Sequence, residues 1–437
     1  VSRLAIVGAT VLDGTGRDPL RDAVVLIDDG RITAVESGSA APEGYPVLDA
    51  AGRYVIPGLM DANVHLCMPV AEEIVEAGED YEARFAEMAE AAARALLAAG
   101  FTTVFDTWGP LGALKIARDR IDAGAAVGSR IRLAGTIVGF DGPLSPDFFA
   151  APEGLSTDFV GRFNDDWVRG VGRNLMWLDL DGIRGAVRHY IESNGIDLVK
   201  YAASSHTGVP FLTFSTEVQR AIVEESHAAG LTVQAHTTSP ESLRMAFEAG
   251  VDILQHGDVT GPALPIPEPV IAAIAARGTA VAAVVTTGRY LDWVTRNAPT
   301  TLGNFHSAAR SENDRRLIAA GVPTLLTTDG FHWTAANSDH PDMGGFWRGA
   351  VDIPTRLGES HLTWLEGALE HGMSSGEALL AATRRVAEAY RVDDELGTLE
   401  PGKRADAVIL DGDPLADVGA YGRIVEVVKD GRVVDRD

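Results

Sequence analysis

Cysteine is almost absent. The 437-residue chain has one, Cys67. No intrachain disulfide can form, and a reducing compartment is the expectation. A lone cysteine is read as a small buried apolar residue. Basic residues are also scarce, with 37 Lys and Arg against 62 Asp and Glu, a net charge of −25. Such a surface repels phosphate backbones and anionic membranes, which argues against nucleic-acid or lipid partners. No apolar run approaches the roughly 20 residues of a membrane helix. The opening VSRLAIVGATVLDG lacks a basic segment followed by a long apolar stretch, so no signal peptide is expected. These absences suit a cytoplasmic protein acting on a small molecule. A homo-oligomer is also expected.

Hydrophobic residues make up 46%, enough for a large core. The length suits a large α/β unit plus a smaller one. Residues 1–56 look like short strands, with LAIVGATVL, AVVLIDDGRITAV and YPVLDAAGRYVI broken by DGTG, DDG and AAG. ADAVILDGDPL and IVEVVKDGRVV near the other end share that texture. The expectation is a small β-sandwich formed by 1–56 plus 391–437. Between them, 57–390 alternates apolar strands with stretches of 3.6-residue periodicity. Eight such units predict a (β/α)8 TIM barrel. A doubly wound sheet fits less well, because the glycine fingerprint after the first strand is missing.

A barrel of this kind places its chemistry at the C-terminal ends of its strands. The predicted strand ends are polar in a concerted way. Strand one ends in Asp61, Asn63 and His65, strand four in Lys200, strand five in His236, strand six in His256 and strand eight in Asp329. Strand alternation puts Asn63 and His65 on one face. Each residue alone has an ordinary structural explanation: a hydrogen-bonded histidine, a helix N-cap, a snorkelling lysine. Together, imidazoles and a carboxylate around an open position meet the needs of a hydrolytic divalent-metal site.

IPGLMDANVH, LVKYAAS, VQAHTTSPESLRMAFEAGVDILQHGD, LLTTDG and LGTLEPGKRADAVILDGDP resemble successive motifs of the amidohydrolase superfamily, in its imidazolonepropionase-like and prolidase-like branch. The resemblance spans nearly the whole chain. It implies one or two divalent metals, zinc first, with cobalt, manganese or iron as alternatives. It implies an N-carboxylated Lys200 bridging two metals. His236 and His256 would hold one metal, and His65 and Asp329 the other. Asp329 would also take a proton from the attacking water, with Lys200 and His256 completing the catalytic set.

The chain departs from that pattern at Asn63, where the family normally has histidine. An amide oxygen is a poorer donor than imidazole for zinc-like ions. A weakened binuclear centre, a mononuclear centre and a non-catalytic relic all remain open. The Asn-x-His form resembles the small group containing phenylurea hydrolases and molinate hydrolase. That resemblance implies hydrolysis of a urea, carbamate or amide C–N bond in a small, largely apolar substrate. The alternatives are an Xaa-Pro-type dipeptidase or carboxypeptidase, and a non-catalytic binding protein on the same scaffold. No arginine cluster stands ready to clamp a substrate carboxylate. Candidate substrate contacts are His206, Phe331, His332 and Trp333, with Tyr201 beside Lys200 but facing the other way if its strand is regular. An aromatic-rich stretch, 141–180, is expected as an irregular lid. Its Phe148, Phe149, Phe159, Phe163, Trp167 and Trp177 either line an apolar pocket or pack the loop down.

Overall fold

The computed structural model describes residues 3–38, 40–68, 74, 82–146, 151, 153–206, 211–259, 265–297, 307–331, 354 and 356–436. The two ends of the chain meet in one mixed sheet. Its order runs Arg432–Val433, Ile424–Lys429, Ala407–Leu410, Tyr54–Pro57, Arg3–Val11, Leu20–Asp28 and Arg31–Ser37, with Val47–Asp49 also on Arg3–Val11. Where the sequence suggested a sandwich, hydrogen bonding joins the strands of both termini into a single eight-stranded sheet. Alternation explains one buried face: Leu4, Ile6, Val25, Ile27, Val55, Ala407, Ile409 and Val428 form one apolar cluster.

The middle of the chain forms two parallel sheets. One holds Ile137–Val138, Leu198–Ala202, Thr232–His236, Ile253–Gln255, Ala280–Ala282 and Thr324–Leu325; the other holds Arg130–Leu133, Phe101–Asp106, Leu59–His65 and Gly330–Phe331. Backbone bonds link them at both seams. Asp197 N–H reaches Leu133 O at 2.9 Å, Ala62 N–H reaches Leu326 O at 3.0 Å, and Asp329 N–H reaches Asn63 O at 3.0 Å.

Helices follow the strands as the apolar spacing predicts. In Phe85–Ala98 the buried positions are Phe85, Ala89, Ala92, Ala93, Leu96 and Leu97, a 3.6-residue stripe. The strands are covered on both faces, as parallel sheets require. Val199, Tyr201, Val233, Ala235, Leu254 and Val281 join the cluster packed by the helices. The alternate positions Met60, Ala62, Leu198, Ile253, Ala280 and Ala282 form a separate inner cluster with Phe105, Val386, Tyr390 and Leu396. Tyr390 stacks on Phe105 with centroids 3.6 Å apart, and its hydroxyl donates to Ala62 O at 2.5 Å. This apolar plug fills the floor, and Lys200, two residues on from Leu198, shares its strand face. Arg130 ties the floor to the terminal sheet, with guanidinium nitrogens 2.7 Å from Asp406 and 2.7 Å from Asp430.

Two local expectations are corrected. The stretch after strand three is not an irregular lid: it contains helix Thr157–Val168, a 3-10 turn Arg173–Trp177 and helix Leu180–Asn194. Ser156 caps the first of these by accepting Phe159 N–H. Strand eight is broken, with Asp329 in the gap between Thr324–Leu325 and Gly330–Phe331. Among the described residues, no helix is long and apolar enough to cross a membrane.

Candidate active site

The site is built outward from strand Leu59–His65. Asp61 Oδ1 accepts Asn63 N–H at 3.1 Å and Thr328 N–H at 3.2 Å, and Oδ2 accepts the Thr328 hydroxyl at 2.5 Å. This carboxylate therefore joins strand one to the turn carrying Asp329. Asn63 and His65 share a face, as alternation requires, and both reach Asp329 Oδ1. Asn63 Nδ2 donates to it, and His65 Nε2 lies 3.2 Å away. His65 Nδ1 lies 3.1 Å from Trp108 O. A proton on Nδ1 is therefore held by a carbonyl, which leaves Nε2 as the working nitrogen.

Strand Phe101–Asp106 supplies the next layer. Asp106 accepts Leu66 N–H at 2.7 Å and Trp108 N–H at 3.2 Å, which locks the ends of strands one and two together. The Thr107 hydroxyl donates to Asn63 Oδ1, and Lys200 Nζ donates to Thr107 Oγ1 at 2.9 Å and to Asn63 Oδ1 at 3.4 Å. A continuous polar chain thus runs His65–Asp329–Asn63–Thr107–Lys200. Both ends of the Asn63 amide are engaged in it.

The histidines of strands five and six complete the cluster. His236 and His256 meet edge to face with centroids 4.9 Å apart, and His206 stacks on His236 at 5.7 Å. His256 and Asp329 both adopt left-handed backbone, with φ of 54° and 52°. Such a conformation costs a non-glycine residue about 1–3 kcal/mol and concentrates at functional positions. At 257 a side chain does not fit, because a Cβ would lie 2.6 Å from Val281 Cγ1.

Burial sets the charge states. It pushes the Lys200 ammonium down to about 8, His206 to about 4 and His256 to about 3, and lowers His65 and His236. Burial works against ionisation of Asp329, but His256, His65 and Lys200 outweigh it and hold the carboxyl well below its usual range. Asp61 and Asp106 are pushed up to about 7 by burial. The result is one firm carboxylate among neutral imidazoles beside an amine that deprotonates readily.

These residues fit a divalent cation. Both ring nitrogens of His236 are buried and hydrogen-bond to no described residue, which is costly unless something else binds them. Neutral imidazole is the ligating form. Among the described residues no three His, Cys, Asp or Glu side chains form a preformed cluster.

The substrate-contact expectations divide. His206 stacks on His236. Tyr201 is buried and faces away from Lys200, as a regular strand requires: its hydroxyl donates to Gln219 Oε1 at 2.9 Å on helix Thr216–Ala228, which places it in the helical layer and not among substrate contacts. Phe331 pairs by backbone with His65, while His332, Trp333, Phe148 and Phe149 lie outside the described residues. Phe159, Phe163 and Trp167 occupy one buried helical face and pack on Phe85 and one another. Trp177 is 82% exposed. Cys67 is buried, and burial raises its thiol well above the ordinary value.

Thr107, Asp106, Trp108 and Phe140 were not picked out from the sequence. Trp108 lies edge-on to His65 at 6.4 Å, and Phe140 packs against His236 at 5.5 Å and Trp108 at 6.1 Å. The signal was present as FDTW closing strand two, where an acid, a hydroxyl and an indole follow an apolar run.

A parallel α/β scaffold with imidazoles, a lysine and a carboxylate gathered at its strand ends defines a hydrolase-type site. The sequence profile of the Amidohydrolase family matches residues 54–434, and the chain belongs to that family of C–N bond hydrolases. The imidazolonepropionase of Rhizorhabdus wittichii (strain DSM 6014 / CCUG 31198 / JCM 15750 / NBRC 105917 / EY 4224 / RW1) is 27% identical over 440 residues, covering 91% of this chain and 90% of its own. The solved structure of molinate hydrolase is 36% identical with a TM-score of 0.90, covering 100% of this chain and 95% of its own. That of phenylurea hydrolase B is 34% identical with a TM-score of 0.90, covering 100% and 97%.

Proposed function

We propose that the protein hydrolyses a urea, carbamate or amide C–N bond in a small, largely apolar substrate at this strand-end site. The observation that carries the reading is the unbroken chain His65–Asp329–Asn63–Thr107–Lys200 beside the His236 ring nitrogens, which hydrogen-bond to no described residue. The likeness to molinate hydrolase and phenylurea hydrolase B supports the substrate class, as do Trp108 and Phe140 against the histidines. On this reading the two parallel sheets make one TIM barrel over 57–390, capped by a unit of 1–56 and 391–437. The surface charge keeps nucleic acids and membranes away, and the enzyme works as a cytoplasmic homo-oligomer.

His65, His236, His256, Asp329 and a carboxylated Lys200 would hold one or two divalent ions, zinc first. Such an ion, when bound, acidifies water and polarises the substrate carbonyl. The chain's own residues do the rest. Asp329 stays ionised and accepts the proton of the attacking water. It then returns that proton to the leaving nitrogen as the C–N bond breaks, releasing an amine together with a carboxylic acid from an amide, a carbamic acid from a urea or a carbonic half-ester from a carbamate. Asn63 orients Asp329 by donating to Oδ1, and acts through hydrogen bonds in place of ligation. His206 contacts the substrate above His236.

The test is a panel of aryl ureas, thiocarbamates and N-acyl amino acids, assayed before and after chelation. Turnover of the first two, abolished by chelator and restored by Zn²⁺, Co²⁺ or Mn²⁺, is the expected result. Preference for N-acyl amino acids would overturn the substrate class. Full activity without metal would overturn the mechanism.

A further inference from the structure

Thr107 stands where strands one, two and four converge, and none of the roles above accounts for its hydroxyl. It is fully buried at the end of strand Phe101–Asp106. Its backbone is fixed from two sides: its own N–H donates to Val64 O at 3.2 Å, and the carboxylate of Asp106 grips the N–H groups of Leu66 and Trp108. A β-branched side chain on so fixed a backbone has little rotamer freedom. The hydroxyl has one proton and two lone pairs. The proton goes to Asn63 Oδ1, and a lone pair receives Lys200 Nζ at 2.9 Å, nearer than the 3.4 Å from Nζ to Asn63 Oδ1.

We propose that Thr107 is a positioning residue for Lys200, holding the lysine's terminal nitrogen and the Asn63 amide in register so that Lys200 can be carboxylated with an amide at position 63. The proposal rests on the reading of Lys200 as the carboxylated lysine of the site. In that reaction the Nζ lone pair forms an N–C bond to carbon dioxide. One N–H proton leaves to solvent, and the lysine carries a carbamate anion. Nζ keeps one N–H, which still donates to Thr107 Oγ1, while the new carboxylate oxygens face the open side of the site. The hydroxyl can thus accept from Nζ before and after carboxylation while its one proton stays on Asn63 Oδ1, whereas a methyl does neither. Loss of the hydroxyl also leaves Asn63 Oδ1 without its donor, and the amide is then free to turn away from Asp329.

The experiment uses the full chain loaded with Zn²⁺ and titrated with ¹³C-bicarbonate, reading the carbamate resonance by NMR beside metal content and thermal stability. Thr107→Val, nearly isosteric, is expected to need about ten-fold or more bicarbonate for half-maximal signal, as loss of one charge-assisted hydrogen bond implies. Thr107→Ser, which restores the hydroxyl, returns to within about two-fold of the wild-type value on the same reasoning. A merely structural threonine would change the melting temperature without moving the bicarbonate dependence. Should Thr107→Val fail to fold, Thr107→Ala against Thr107→Ser reads the same difference. A wild-type bicarbonate dependence in the valine or alanine variant overturns the proposal and leaves the role of Lys200 intact. A wild-type protein with no resonance, or Lys200→Ala that retains it, overturns the reading of Lys200 and the role of Thr107 with it.

Discussion

At the scale of single residues, position 63 decides how the site is wired. A histidine there would be larger than the asparagine, which is fully buried between Thr107, Lys200 and Asp329. Overpacking a filled site costs about 1–3 kcal/mol. Asn63→His is therefore expected to lower the unfolding midpoint in urea. Trimming the neighbour, as in Asn63→His with Thr107→Ala, should recover part of the loss. Additive destabilisation in the double variant would show that the two side chains do not share that space. Asp329 makes a different prediction. Asp329→Asn changes shape little, but its amide accepts no proton. It should keep the fold and lose about 10²–10⁴-fold in kcat, the usual contribution of a general acid–base group. Wild-type kcat in that variant would remove Asp329 from the proton pathway.

At the scale of elements, the strained end of strand six is held from outside the sheet. His256 and Val259 both have positive φ, 54° and 65°. Helix Ala308–Ala319 reaches the segment between them through two side chains. Arg310 Nε pairs with Asp258 Oδ2, and Asn313 Nδ2 donates to Asp258 O at 3.3 Å. Both partners of the ion pair are buried, so breaking it leaves an uncompensated charge, at about 3–5 kcal/mol. Arg310→Met should lower stability by that order in urea unfolding, and Arg310→Met with Asp258→Asn should recover much of it. A single variant as stable as wild type would mean that the pair does not secure the strand end. This element also shows what was legible in the sequence. Lys200, His236 and His256 were visible, because each closes an apolar run. What the helix does was not visible, since Arg310 and Asp258 are 52 positions apart and only folding makes them neighbours. The helix carrying Phe163 and Trp167 was missed for a related reason. Its apolar residues recur every fourth position, but turn-forming residues on either side masked the period. Thr107 escaped because a threonine ending a strand is ordinary until Asn63 and Lys200 are seen on either side of it.

At the scale of the whole molecule, stability has an acid limit set by histidines placed where their charge is not solvated. His361 opens helix Ser360–Glu370, is 2% exposed and lies edge-on to Phe101 at 5.0 Å. Neither ring nitrogen hydrogen-bonds to a described residue, and burial holds its pKa down to about 4. In the unfolded chain a histidine titrates near 6.5. Between those values the unfolded state binds the proton and the native state does not. The contribution of His361 is thus complete above about pH 6.5 and is lost as pH falls toward 4, by about 3 kcal/mol over the whole range. His371, also lowered to about 4 by burial, acts in the same direction. A variant with only one of them replaced should therefore remain acid-sensitive, and the difference between it and the wild type isolates His361. His361→Phe keeps an aromatic ring beside Phe101 and removes the titrating nitrogens. At pH 7.5 its urea midpoint should lie near that of wild type. At pH 6 and pH 5 the variant should pull progressively ahead, because it has no proton to exclude. Parallel midpoint curves across that range would mean that His361 is solvated or protonated in the native state. The acid limit would then have to be sought in the other buried histidines.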